Sequence, residues 1–507
     1  MNHNVNPIMK MDYPDPDVIR VGDTYYMAST TMHFFPGGAI LRSYDLVNWE
    51  LVSYVYERLD ETKEQYLEEN HNIYGQGMWA PSLRYHNGIF YVCFVANDTH
   101  KTYLFTANQA EGPWEKREIE GFYHDCSLLF DEDDRIYIVY GNTEIHLTQL
   151  KADLSGPLPG GIDRVIISDR GNPVLGYEGA HIYKINGKYY VFLIHSRRDK
   201  WMRTQACFVA DSLDGVFTGK DVLEDTRDYC NQGVAQGGIV DTPWGDWYAV
   251  LFQDHGAVGR IPVLVPIRFE DDFPVFGEAG HIPEKFVIRS TRPGYRYQAL
   301  YASDDFDYDD MQKERPVLQK VWQFNHTPTD SLWEIRNRQF VIRTGKLCQN
   351  MEQAQNTLTQ RLLFPGCRVE VTLDIRDIKE GDYAGLCALQ GLYGMIAITR
   401  KEGQNYLVVG EKAEENGEEI YRECQIMPWK ERSIRLFLQA DFTDMKDEVH
   451  FGYMEQGRSI PAGPVHKLFF KLDHFCGCRA GLFAFSTKQT GGTAAFSEFI
   501  YKDFRVA

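Results

Sequence analysis

The chain has 507 residues, long for one domain and enough for two to four at roughly 100–200 residues each. A hydrophobic content of 43% beside 25% charged residues is that of a soluble globular protein, and 14% aromatic residues, with 30 Tyr and 30 Phe, favour strands. A net charge of −19 excludes nucleic acid and an anionic membrane as partners, since both need a basic surface, and leaves neutral ligands open.

The opening residues Met1-Asn2-His3-Asn4-Val5-Asn6-Pro7 have neither a basic segment nor an apolar core, so no signal peptide is expected there. No apolar run reaches the ~18 residues of a membrane span. The ten cysteines lack the paired spacings of zinc sites, and Cys476-x-Cys478 is the only close pair. Free thiols in a reducing cytoplasm are the expectation.

The first element is Tyr13-Pro14-Asp15-Pro16, where two prolines stiffen the backbone around one carboxylate, followed by a hairpin over Asp17–Met27 turning at Gly22-Asp23. The same pattern of apolar strand, Gly/Asn/Asp turn and Tyr-bearing strand recurs at Leu83–Phe94, Leu128–Tyr140, His181–Phe192 and Gly238–Val250. The shared tyrosines are Tyr26, Tyr91, Tyr137, Tyr190 and Tyr248, each far enough from the next for one four-stranded sheet with loops. Five such units predict a five-bladed β-propeller over 1–290.

A change of texture follows, with the acidic run Asp304–Asp310. It lacks the glycine and terminal glutamate of a calcium loop, so 291–320 reads as a solvated linker. From 321 to 507 many short alternating strands, among them Gln339–Arg343, Arg368–Leu373, Ser433–Leu438 and Gly481–Phe485, predict a β-sandwich. The fold class is therefore all-β.

The repeats also locate the chemistry. The residues twelve places before each tyrosine, eleven in the first repeat, are Asp15, Trp79, Asp125, Glu178 and Gln236. All five are expected to begin the innermost strand of a blade at one end of the central axis. Three convergent carboxyl groups repel one another and so require a use. They would bind blade-closing amides or a central cation, or they would act on a substrate. Two acids beside aromatic walls without a metal motif is the composition of a glycosidase site, where one acid protonates the leaving oxygen and another activates water. A third would orient the donor and raise its pKa.

These residues carry a resemblance. Asn6-Pro7-Ile8 with Tyr13-Pro14-Asp15-Pro16, His124-Asp125-Cys126-Ser127-Leu128 and Glu178-Gly179-Ala180-His181-Ile182-Tyr183-Lys184 resemble motifs of glycoside hydrolase family 43. Met78-Trp79-Ala80-Pro81 and Val258-Gly259-Arg260 match further family segments, and Asn356–Arg361 with Ala384-Gly385-Leu386 is similar to the concanavalin-like jelly roll of its two-domain members. The resemblance implies Asp15 as general base, Glu178 as general acid and Asp125 as pKa modulator. It further implies Trp79 as a sugar platform and Arg260 as a hydrogen-bond donor. Phe34 offers a second apolar face to the sugar and Gln236 a polar group at the axis.

Gln236 stands where many relatives have a histidine, and Thr31–Gly37 keeps the family's aromatic character without its residues. The expected reaction is exo-acting, inverting release of terminal L-arabinofuranose from arabinose-substituted xylo- or arabino-oligosaccharides. A β-xylosidase or dual-activity enzyme is the alternative, and a non-catalytic sugar-binding propeller the reading from another class. The chemistry requires no cofactor and leaves a structural calcium open. The expected partner is a neutral pentose-containing oligosaccharide.

Overall fold

Local turn chemistry sets the repeat. At Asn87-Gly88 and Asn186-Gly187 both residues adopt positive φ (49° and 84°, 50° and 79°), as a two-residue turn must to follow the twist of its flanking strands. The computed structural model describes residues 4–308 and 317–503, and places these hairpins at the centres of five antiparallel blades.

The first blade contains Asp17–Val21, Thr24–Ser29, Gly37–Ser43 and Glu50–Tyr56. The second contains Ser82–His86, Ile89–Ala96, Lys101–Ala107 and Glu115–Ile119. Ser127–Phe130, Ile136–Tyr140, Glu144–Leu150 and Asp163–Ser168 form the third, and Glu178–Ile185, Lys188–Ser196, Arg203–Ala210 and Thr218–Leu223 the fourth. In the fifth, Val234–Ala235 and Ile239–Asp241 both pair with Trp247–Asp254, which continues to Arg260–Glu270 and Phe273–Phe276. Burial falls outward along a blade: Val191–Ile194 are wholly buried, whereas Glu115–Glu118 of an outer strand are exposed. Charges on such an edge discourage pairing with another chain.

Hydrogen bonds join each pair of neighbouring blades around the axis. Leu83 N donates to Asp17 Oδ2 (2.7 Å), Leu128 N to Ser82 Oγ (3.0 Å), Ile182 N to Ser127 Oγ (3.0 Å) and Ile239 N to the Tyr183 hydroxyl (3.0 Å). Gly238 N closes the ring on Pro16 O at 2.8 Å. Asp17 is wholly buried; burial opposes its charge, but Arg84 at 2.7 Å and His181 at 3.2 Å outweigh this and hold its pKa below the usual carboxylate value. The chain ends of the propeller are tied by Asn4–Val5 pairing with Lys285–Phe286, and the Asn6 amide bonds Leu264 and Pro283 across the seam.

Beyond the propeller, Thr291 donates to Tyr44 O, and Tyr295 and Tyr297 pack on the Tyr44 ring. Asp304 bridges Phe499 and accepts from Trp322 Nε1 at 2.8 Å. The remainder of the acidic run, Asp309 and Asp310, lies outside the described residues. The C-terminal domain is a sandwich of two antiparallel sheets of seven strands each, one of them extended to eight by a strand from the propeller half of the chain. Its core lies between them, with Leu386, Ile396, Leu436 and Leu438 fully buried. The described helices are single 3₁₀ turns, and no helix is long and apolar enough to cross a membrane.

One strand crosses the domain boundary. Phe34–Phe35 leaves the first blade between its second and third strands and pairs with Gln323–Asn325 at the end of the eight-stranded sheet. Phe34, expected to face a sugar, is fully buried there, with the Arg479 guanidinium 3.5 Å from its ring centroid. The alternation of a strand explains the difference, since a side chain committed to the sandwich core cannot also face the propeller axis.

Candidate active site

Asp15, Trp79, Asp125, Glu178, Gln236 and Arg260 all line one cavity of about 670 Å³ at the end of the propeller axis. Asp15, Trp79 and Asp125 lie two or three residues ahead of their innermost strands, Glu178 begins its own, and Gln236 sits between the two short strands of the fifth blade. Asp15, Asp125 and Gln236 share a left-handed backbone, with φ of 51°, 48° and 61°. For residues other than glycine that conformation is uncommon, and each blade's hydrogen bonds must over-determine it. Gly179, at φ 63°, leaves room for the Gln236 side chain, which a Cβ there would meet at 2.7 Å.

The Asp15 carboxylate is held on both sides. Arg260 Nη1 donates to Oδ1 at 2.9 Å and Thr30 Oγ1 to Oδ2 at 2.7 Å. Arg260 is itself fixed: its backbone N donates to Asp12 Oδ1 (2.8 Å), its guanidinium stacks on Phe475 at 4.5 Å, and Nη2 donates to Phe475 O at 3.3 Å. Asp12 Oδ2 accepts from Gly477 N at 2.8 Å, so one buried carboxylate joins propeller and sandwich three residues from Asp15.

Asp125 and Glu178 form a second centre. Gly179 N donates to Asp125 Oδ2 at 3.2 Å, His124 Nε2 stands 3.7 Å from Oδ1, and Asn142 Nδ2 donates to Glu178 Oε2 at 2.5 Å. Burial, then the neighbouring Asp125 charge, pushes the Glu178 carboxyl up to about 7 against the partial relief of Arg203 and His124. Burial raises Asp125 as well. Glu178 faces the cavity and so keeps some accessible surface, while protein surrounds it elsewhere; a substrate filling the cavity would complete its desolvation. The pair can hold a proton at neutral pH where ordinary carboxyl groups cannot. Asp125→Asn removes the like charge, so the alkaline limb of kcat/KM is expected to move to lower pH, and an unmoved limb would show that Asp125 does not act on Glu178.

His124, Asp125 and Glu178 are also the one group among the described residues whose side chains could close on a metal, with donor atoms within 4.8 Å of one another. A metal there would take the same oxygens that the proton needs.

Several lining residues escape a reading of the sequence. His124 and Asn142 flank recognisable motifs, and Arg203 is placed by the third strand of the fourth blade. Met445, Phe470, Leu472 and Phe475 come from the sandwich, the first from a 3₁₀ turn and the others from a loop, with no repeat to reveal them. Phe34 is not among the lining residues.

Sequence models of known families decide the class. That of glycosyl hydrolases family 43 matches residues 5–274, and that of the beta xylosidase C-terminal concanavalin A-like domain matches 304–502. The chain belongs to glycosyl hydrolase family 43. It is therefore a glycoside hydrolase, and all the acids that line the cavity lie within the matched residues. A beta-xylosidase of Formosa agariphila is 27% identical over 98% of this chain and 90% of its own length. A solved bifunctional GH43-CE protein of Bacteroides eggerthii is 39% identical with a TM-score of 0.91, covering 99% of this chain; the chain spans 64% of that protein. A family 43 enzyme engineered to display both endo-xylanase and exo-arabinofuranosidase activity is 27% identical, with a TM-score of 0.87 over 99% of this chain and 100% of its own.

Proposed function

We propose that this glycosidase removes a terminal pentose from neutral oligosaccharides by exo action with inversion. The observation that carries the reading is the division of the cavity into two unlike acid centres, Asp15 against Arg260 and Glu178 against Asp125. In this mechanism Glu178 gives its proton to the glycosidic oxygen while Asp15 takes one from a water that attacks C1 from the opposite face. Asp125 keeps Glu178 protonated and Asn142 fixes its rotamer. Trp79 supplies an apolar face for the sugar, and no step requires a metal. Phe470, Leu472 and Phe475 wall one side of the cavity, which suits a chain end better than the middle of a polymer.

We place L-arabinofuranose first as the released sugar. Support comes from Gln236 at the axis and from the exo-arabinofuranosidase activity described for the engineered relative, which matches over essentially its whole length. The second reading, release of xylose, is favoured by the name of the Formosa agariphila relative. Side-by-side kinetics on nitrophenyl α-L-arabinofuranoside and β-D-xyloside separate the two. Proton NMR of the first product is expected to show the inverted anomer, and a retained anomer would remove Asp15 from the role of water-activating base.

A further inference from the structure

A second groove, of about 490 Å³, adjoins the active-site cavity through the sandwich. The two share one lining residue, Phe470. On either side the short segment 469–472 alternates its duties. Phe469 and Lys471 line the groove, whereas Leu472 lines the rim of the cavity. Phe469 is 52% exposed and Leu472 77%, a large apolar exposure on one short loop.

Aromatic rings lead from the acids toward this groove. Trp79 lies 5.3 Å from Phe475 and Phe475 lies 5.9 Å from Phe470, centroid to centroid, with exposed Phe469 next in the chain. The polar lining suits a neutral hydroxylated ligand. Lys412 pairs with Glu352 and Glu419, Lys471 with Glu414 and Glu419, and Arg422 with Glu411 and Glu415, so each cation of the lining is matched by carboxylates and none is left to draw an anionic ligand.

We infer that this groove binds the part of the oligosaccharide that remains outside the catalytic cavity, with Phe469 as a stacking platform for a sugar ring. The inference rests on the exo reading above: once the terminal sugar occupies the cavity, the rest of the chain must lie outside it, and the groove that shares Phe470 with the cavity is next to receive it. Phe469 touches no part of the acid centres, so it sets preference for chain length without taking part in bond cleavage.

The test compares Phe469→Ala with the wild type on a nitrophenyl glycoside, which fills only the cavity, and on arabinose-substituted xylotetraose beside unsubstituted xylotetraose. The expected result is a roughly tenfold fall in kcat/KM on the accepted oligosaccharide, equivalent to about 1.4 kcal/mol, with the nitrophenyl glycoside unchanged. Equal rates on both substrates, or an equal fall on both, would overturn the inference. Calorimetric affinity of Glu178→Gln and of Glu178→Gln/Phe469→Ala for the same oligosaccharides decides the matter independently of turnover: unchanged affinity overturns the groove as a binding site. A wild type inactive on every glycoside, with this affinity difference intact, would instead count against the exo-glycosidase reading alone.

Discussion

Glu178→Gln is expected to abolish hydrolysis of oligosaccharides, by about 10³-fold or more, while retaining a larger residual rate on nitrophenyl glycosides. Nitrophenolate leaves without protonation, so loss of a general acid weighs less on that substrate than on a sugar leaving group. The same variant is expected to be more stable than the wild type above neutral pH. In the folded protein the Glu178 carboxyl is pushed up to about 7 from an ordinary 4.5, with burial as the main cause and Asp125 second. A raised folded-state value means that the stability tied to the protonated carboxyl is complete below pH ~4.5 and is lost as pH rises through 7. At pH 8 the native state therefore keeps a desolvated carboxylate at a cost of up to about 3 kcal/mol, which glutamine does not carry. Calorimetric scans of both proteins at pH 5 and pH 8 should show a Tm difference that grows from the lower pH to the higher, shifting in favour of glutamine. A Tm difference independent of pH would show that Glu178 is not held in its neutral form.

Asp15→Asn is expected to fail equally on both kinds of substrate, again by about 10³-fold, because water must be activated whatever the leaving group. Its effect on stability runs the other way. Arg260 is buried and donates to Asp15 at 2.9 Å, so the neutral amide leaves a guanidinium without its counter-charge. Removing one partner of a buried pair costs more than the pair itself contributes; with one acceptor oxygen retained, about 2 kcal/mol is expected. Lower Tm in Asp15→Asn and higher Tm at pH 8 in Glu178→Gln would together mark one acid as a charged, paired group and the other as a proton carrier. Substantial oligosaccharide turnover by either variant would overturn its assigned role.

The propeller is legible in the sequence because its information is local. A turn such as Asn186-Gly187 fixes a hairpin within a few residues, and five copies supply an internal alignment from which Asp15, Trp79, Asp125, Glu178 and Gln236 fall on equivalent positions. The sandwich is visible from strand alternation alone. The burial of Phe34 is not legible in the sequence because its partner strand, Gln323–Asn325, lies nearly three hundred residues away and no short-range pattern reports that register. Phe475 and Phe470 were missed for a related reason: they stand in unique loops, and only the docking of the sandwich, through Asp12 and Gly477, brings them to the cavity. Residues supplied by repetition could be found by counting; those supplied by domain docking could not.

The Phe34–Phe35 strand also bears on synthesis from the N-terminus. The first blade is translated with these two phenylalanines already in it, yet their pairing strand at Gln323–Asn325, and Arg479 that covers the Phe34 ring, emerge from the ribosome only much later. Until then the nascent propeller holds an unpaired apolar segment, a strand edge open to wrong partners that the completed chain withdraws.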